Sequence, residues 1–346
     1  MAFTRGQKKT WFSVAHFNNV QGADRAGTGL TIFPLSLVFS NPDPPDQLDD
    51  QFVLDRHFYS NLTAVPLYLW SFGLDWFYFA LAAALLTVTG FSITLGYHRL
   101  FAHATFRAKL PIRLCVLIFG AAAFENSVLM WTSEHRRHHK HVDHDEDPYD
   151  ITKGFFHAHI GWLLFKLWPQ PPFDNVPDLK KDPLVMWQHR HINLLAVLMS
   201  LALPTLLGAW WNGWAGALGG FLIGGVAKIV VIQHCTFLIN SACHTMGRQP
   251  YSTRCSARDS FLMAIFTFGE GYHNYHHEFQ HDYRNGVKPW QWDPTKWLIW
   301  TLSRLGLANN LRRVPQEAII AAQGKTSSGS NYSIVNSTVS ASSPLR

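Results

Sequence analysis

Residues 77–97 (FYFALAAALLTVTGFSITLGY) run for 21 positions without a charged side chain. At a helical rise of about 1.5 Å per residue this roughly matches a hydrocarbon core about 30 Å thick. Inside a bilayer a helix satisfies its own backbone polar groups, so a run of this kind reads as a spanning helix. The stretches 192–212 (INLLAVLMSLALPTLLGAWWN) and 214–234 (WAGALGGFLIGGVAKIVVIQH) read as two further spans. Pro204 predicts a kink in the first, and Lys228 in the second must snorkel or face protein. Gly216, Gly220 and Gly224 recur every fourth residue, a stripe read as helix packing.

An earlier span is less sharply marked. Residues 57–73 are a short run containing Pro66, and 30–40 is a separate apolar run ended by NPDPPDQLDD. By proximity 57–73 pairs with 77–97, giving about four transmembrane helices in two hairpins. The tips of these hairpins, 72–76 and 208–216, hold no Lys or Arg, whereas 98–191 and 244–288 are rich in them. The positive-inside tendency therefore sets both tips outside and both basic segments in the cytoplasm. The segment 110–131 carries Arg113, Glu125 and Asn126. Counting it as a span would separate its flanking histidine clusters by a bilayer, so it reads as one helix buried in the cytoplasmic part.

The fold expected is all-α and integral to the membrane, with a cytoplasmic helical cap holding a di-metal site. Its domains are an N-terminal segment 1–56, partly irregular, a membrane domain 57–315, and a tail 316–346 that is Ser-rich and disordered from about 324. The net charge of +6 is dispersed in short clusters, which suits a membrane surface or an anionic substrate and argues against nucleic acid. Four cysteines with no C-x-x-C point to neither disulfides nor thiolate zinc. The opening MAFTRGQKKTWF has no apolar stretch of the secretory kind.

Nineteen histidines stand in this chain, and three clusters dominate: HRLFAH (98–103), EHRRHHKH (134–141) and HNYHH (273–277). The last two share H-x-x-H-H, giving His135, His138, His139 and His273, His276, His277. Residues three and four apart share one face of a helix, so each motif presents three imidazoles together. His98 and His103 follow directly on the charge-free span, and the third span runs on to Asn240 and His244. Nine imidazoles exceed the four ligands of a structural zinc site. They suit four or five on each of two ions, although imidazole accepts Zn, Cu, Fe or Ni and spacing does not choose among them. A neutral ligand set at a membrane edge suits a redox pair that activates oxygen. His157, His159, His189, His191 and His281 lack this spacing and are read as ordinary polar residues, with His234 a candidate outer partner of the ligands.

The motifs GYHRLFAH, EHRRHHKHVDHDEDPYD, GFFHAHIGWLL, NSACH and FTFGEGYHNYHHEFQHDYRNG, in this order, resemble the membrane acyl-CoA delta-9 (stearoyl-CoA) desaturase family over residues 57–315. The resemblance implies oxygen-dependent insertion of a cis double bond into a long-chain saturated acyl-CoA at a di-iron centre, with O2 as co-substrate. It implies that His98, His103, His135, His139 and His276 hold one iron. His138, His244, His273 and His277 would hold the other, with Asn240 reaching it through water. No catalytic residue beyond that centre is implied. Where the family has Gln-Asn near the thioester this chain has Glu125-Asn126, and Phe237 stands where some members have Trp. A carboxylate beside anionic CoA carries a cost unless paired or protonated. Gly90 and Leu86 are candidate walls of an acyl tunnel, and Arg136 and Arg137 candidate phosphate contacts. No haem-binding extension or dinucleotide fingerprint is seen, so a separate cytochrome b5-like or ferredoxin-like donor and its reductase are expected. The protein is expected in a bacterial plasma membrane or the endoplasmic reticulum, its site facing the cytoplasm. A membrane hydroxylase, an acyl-lipid desaturase and a metal transporter are the competing readings.

Overall fold

A helix over 63–72, α1, turns at residues 73–75 into α2, Trp76–Ala102. Gly73 takes the left-handed backbone the turn requires (φ 79°) and donates its N–H to Leu69 O (2.9 Å). The Asp75 carboxylate then caps α2 by accepting the Phe77 N–H (2.8 Å). Tyr68 meets Tyr78 edge-on, 6.0 Å between centroids, so the two helices lie against each other. This computed structural model describes residues 63–164 and 173–326. The expected N-terminal segment 1–56, the run 30–40, the start of the first span and the tail from 327 lie outside the described residues. Residues 316–326, assigned to the tail, are helical.

α2 changes character on the way down. It is α-helical over Trp76–Phe91 and π-helical over Ser92–Ala102, a wider winding that often accompanies functional sites. Next come α3, Leu110–Ala123, and α4, Val128–His141, which meet at 79°. The expectation of one helix over 110–131 is therefore corrected. Phe124 (φ 56°) and Asn126 (φ 68°) adopt left-handed backbone between the two helices. Ser127 starts α4 afresh, its hydroxyl accepting the Met130 N–H (3.3 Å). α5, Pro183–Arg190, is capped by Asp182 with Pro at its first turn and leads into α6, Ile192–His244.

Among the described residues, α2 and α6 are the helices long and apolar enough to cross a membrane, and the bent α3–α4 pair passes only if counted as one span. α6 is not straight. Asn212 (φ −146°, ψ 45°) and Gly213 (φ 54°, ψ −143°) break it into two arms. A straight helix would set residues 208 and 216 about 12 Å apart, yet a Cβ on Gly208 would lie 2.1 Å from Gly216 O, and one on Gly220 2.1 Å from Pro204 O. The arms fold back on each other, and Gly216 and Gly220 of the glycine stripe form the backbone-to-backbone seam, while Gly224 meets the Pro204 ring. Around Pro204 the winding again loosens into a π-helical stretch, Leu198–Ala202. Lys228 faces protein rather than lipid, donating to Ala122 O (2.7 Å) and Ser200 Oγ (2.8 Å).

Later elements that shape the site are α7, Phe261–Phe266, α8, His273–Glu278, and α9, Pro294–Arg304. A two-residue antiparallel ladder, Arg107–Ala108 with Ala308–Asn309, ties the segment after α2 to the one after α9. Buried Arg99 fastens α2 to this region: its guanidinium donates to Glu270 Oε1 (2.8 Å), Asp293 Oδ1 (3.0 Å) and Tyr283 O (2.8 Å). Replacing Gly208 by Ala should force the α6 arms apart, at a cost of about 1–3 kcal/mol for overpacking. A lower melting temperature in detergent for G208A, with no such loss for Gly324→Ala, which has open space for a Cβ, checks this.

Candidate metal centre

Four segments deliver nine histidines to one place. The π-helical end of α2 brings His98 and, just past it, His103; α4 brings His135, His138 and His139. The end of α6 brings His244, and α8 brings His273, His276 and His277. They form two groups: His98, His103, His135, His139 and His276, and separately His138, His244, His273 and His277. In each group the ring nitrogens lie within 4.8 Å of one another.

The facing atom is the same throughout. His103 and His135 bring their Nε2 atoms to 2.8 Å, His139 and His276 to 2.9 Å, and His98 and His276 to 3.0 Å. In the second group His273 Nε2 lies 3.0 Å from that of His277 and 3.1 Å from that of His244. Two nitrogens each about 2.1 Å from a shared ion, at right angles, stand about 3 Å apart, so the donor set fits one metal ion per group. Burial and then the neighbouring imidazoles hold His103, His276 and His277 well below the ordinary histidine range, and bring His273 to about 3. The rings are thus neutral and ready to ligate.

The outward nitrogens are also placed. His138 Nδ1 donates to the buried Asp147 Oδ1 (2.8 Å), and His98 Nδ1 lies 2.9 Å from Glu270 Oε2. A proton held on Nδ1 leaves the Nε2 lone pair free for a metal. Burial alone would raise Glu270, but the charge of Arg99 and the nearby His98 bring it down to about 2. Sequence reading missed Glu270, Asp147 and Arg99. The available clue was proximity, since Asp147 follows His138 by nine positions and Glu270 precedes His273 by three.

Beside the five-histidine group lies a cavity enclosing about 1090 Å³ of atom-free space, its open mouth included. Glu125, Asn126, Trp131, His135, Thr236, Phe237 and Asn240 are among its lining residues. Glu125 sits in the break between α3 and α4. Its Oε1 lies 2.8 Å from Thr236 Oγ1, and its Oε2 accepts from Trp131 Nε1 (3.2 Å), the ring that stacks on His135. Burial pushes this carboxyl up to about 8.

Other expected contacts lie elsewhere. Gly90 and Leu86 do not line this cavity; a Cβ on Gly90 would meet the Phe268 ring at 2.4 Å, and Leu86 packs against the core. Arg136, expected at phosphate, spends all five N–H donors internally, on Ala102 O, Phe101 O, Asn175 O and both oxygens of Asp178. It is a strut with no donor left over. Arg137 lies 3.6 Å from Asp174. His234 pairs with His159 (3.0 Å).

Because the folded-state value of Glu125 is raised, the native chain binds more protons than the unfolded chain between about pH 4.5 and 8. Stability therefore falls as pH rises through that window. The Glu125→Gln variant should melt above wild type at pH 8, with the gap closing as pH is brought down to 5; parallel melting curves would contradict this.

A family model for fatty acid desaturases matches residues 74–302. Acyl-CoA desaturase 1 of Saccharomyces cerevisiae is 43% identical over 259 residues, covering 74% of this chain and 48% of that protein. The probable acyl-CoA desaturase of Schizosaccharomyces pombe is 43% identical over 233 residues, covering 67% and 48%. Stearoyl-CoA desaturase 2 of Mus musculus is 36% identical over 247 residues, covering 70% and 69%. The chain spans about half the length of the two fungal relatives.

Proposed function

This chain belongs to the fatty acid desaturase family, and from that premise we propose that it desaturates a long-chain saturated acyl-CoA, introducing a cis double bond nine carbons from the carboxyl. The observation that carries this reading is the convergence of nine imidazoles, in groups of five and four, beside a cavity. His98, His103, His135, His139 and His276 hold one iron; His138, His244, His273 and His277 hold the second, with Asn240 reaching it through water. Bound there, the two irons supply the activation of O2 and the C–H cleavage that no side chain performs.

The protein's own part is to orient and to exclude. Glu125 and Asn126, at the α3–α4 break, meet the polar end of the substrate. A protonated Glu125 can donate a hydrogen bond to a thioester carbonyl, where a carboxylate would repel an anionic CoA. Trp131, stacked on His135, forms a wall that keeps water from the reacting methylenes. Arg137 is the remaining candidate for a CoA phosphate.

In the membrane, α1, α2 and the two arms of α6 make four spans in two hairpins. Supporting this, the two tips touch: Phe77 stacks on Trp211 at 4.5 Å, and Trp211 Nε1 donates to Asp75 Oδ2 (2.9 Å). Exposed Trp70, Trp76, Trp210 and Trp214 at these tips suit an interface. The histidines come from the other end of α2 and α6, the cytoplasmic one, in a plasma membrane or the endoplasmic reticulum. Two electrons per turnover come from a cytochrome b5-like or ferredoxin-like carrier and its reductase, for which the basic cytoplasmic segments offer complementary charge.

Expression in a desaturase-deficient host with a competent reductase, followed by mapping of double bonds, tests the proposal. A cis bond at the ninth carbon is expected from wild type and none from the His273→Ala variant. A hydroxylated product, or a fully saturated profile despite good expression, would sink it.

A further inference from the structure

The four-histidine group has an outer support that differs from that of its neighbour. His244 Nδ1 lies 2.6 Å from Ser256 Oγ, and Ser256 Oγ donates in turn to Asp143 Oδ1 (2.5 Å). The second oxygen of the same carboxylate accepts the Ser256 backbone N–H (2.6 Å), so Asp143 grips Ser256 at two points across 113 residues of chain. The Asp143 backbone is left-handed (φ 64°), a conformation that costs energy in a non-glycine residue and persists where surroundings enforce it. Its own N–H donates to Asp147 Oδ2 (3.3 Å), while Asp147 Oδ1 accepts from His138 Nδ1 (2.8 Å). The short loop after α4 therefore supports two histidines of one group, His138 directly and His244 through a hydroxyl.

The five-histidine group is supported otherwise. Glu270, beside His98, also binds the Arg99 guanidinium, which offsets its charge. Among the described residues neither Asp143 nor Asp147 forms an ion pair with Lys or Arg.

Resting on the two-metal reading above, we propose that Ser256 and Asp143 form a relay that positions His244 for the ion of the four-histidine group. In the chain Nδ1–H···Oγ–H···Oδ1 each proton has one acceptor, so the ring is held in the tautomer whose Nε2 lone pair faces the metal. The carboxylate at the far end strengthens that lone pair through the two hydrogen bonds. Ser256 and Asp143 are positioning residues and touch neither ion nor substrate.

The test uses the full chain in detergent, stripped of metal and titrated anaerobically with ferrous iron, with the iron-to-protein ratio and the melting temperature as readouts. Wild type should bind two ions. Ser256→Ala should weaken one of the two by about 10–100-fold and leave the other unchanged, and Ser256→Thr, which keeps the hydroxyl, should restore it. The metal-free melting temperature should be alike in all three, with the iron-induced rise reduced only in S256A. Equal affinities for both ions in wild type and S256A, or a loss confined to metal-free stability, would overturn the relay while leaving the metal centre standing. A wild type that binds fewer than two ions would overturn the metal reading itself.

Discussion

Nine imidazoles aim the same ring nitrogen at one another across about 3 Å in a largely buried space. Each neutral ring offers a lone pair, and lone pairs brought together without a proton or cation between them repel. Protonation is a poor remedy at such a site, because burial and the neighbouring rings work against it. A cation per group relieves the crowding, and much of the rest of the structure holds the rings where the cations need them. The carboxylates behind His98 and His138 are part of that support, and so is Arg99, which lets Glu270 stay charged in the interior and pairs with Asp293.

Much of this was legible in the sequence, because the relevant physics is local. A charge-free run of 21 residues has few alternatives to a membrane helix, and H-x-x-H-H places three rings together on any helix. The glycine stripe at 216, 220 and 224 was readable as packing, although its partners, Gly208 and the Pro204 backbone, were not. What escaped was set by contacts between distant segments. Nothing near residue 124 announces that the helix breaks there, since Phe124 and Asn126 take left-handed backbone only because the fold requires the bend. Arg136 looked available for phosphate because its acceptors, Asp178, Asn175 and two carbonyls at the end of α2, are brought to it by folding.

Glu125 shows how a departure from a family pattern acquires meaning through its surroundings. In the sequence it was an anomaly, an acid where an amide is usual. Set in the cavity between Thr236 and Trp131, with burial raising its affinity for a proton, it resembles an amide in charge and in shape. The hydrogen-bond pattern that an amide would make there is one that a protonated carboxyl can reproduce.

The order in which the chain supplies its histidines has a temporal consequence. Rings from α2 and α4 emerge early, whereas His244 comes only at the foot of the second α6 arm and three more rings only with α8, about 180 positions after His98. During synthesis neither group can be completed before His276 and His277 have left the ribosome and the second arm of α6 has packed on the first. Closure of either ring cluster therefore waits on α8, and until α8 is made the early imidazoles stand open to water.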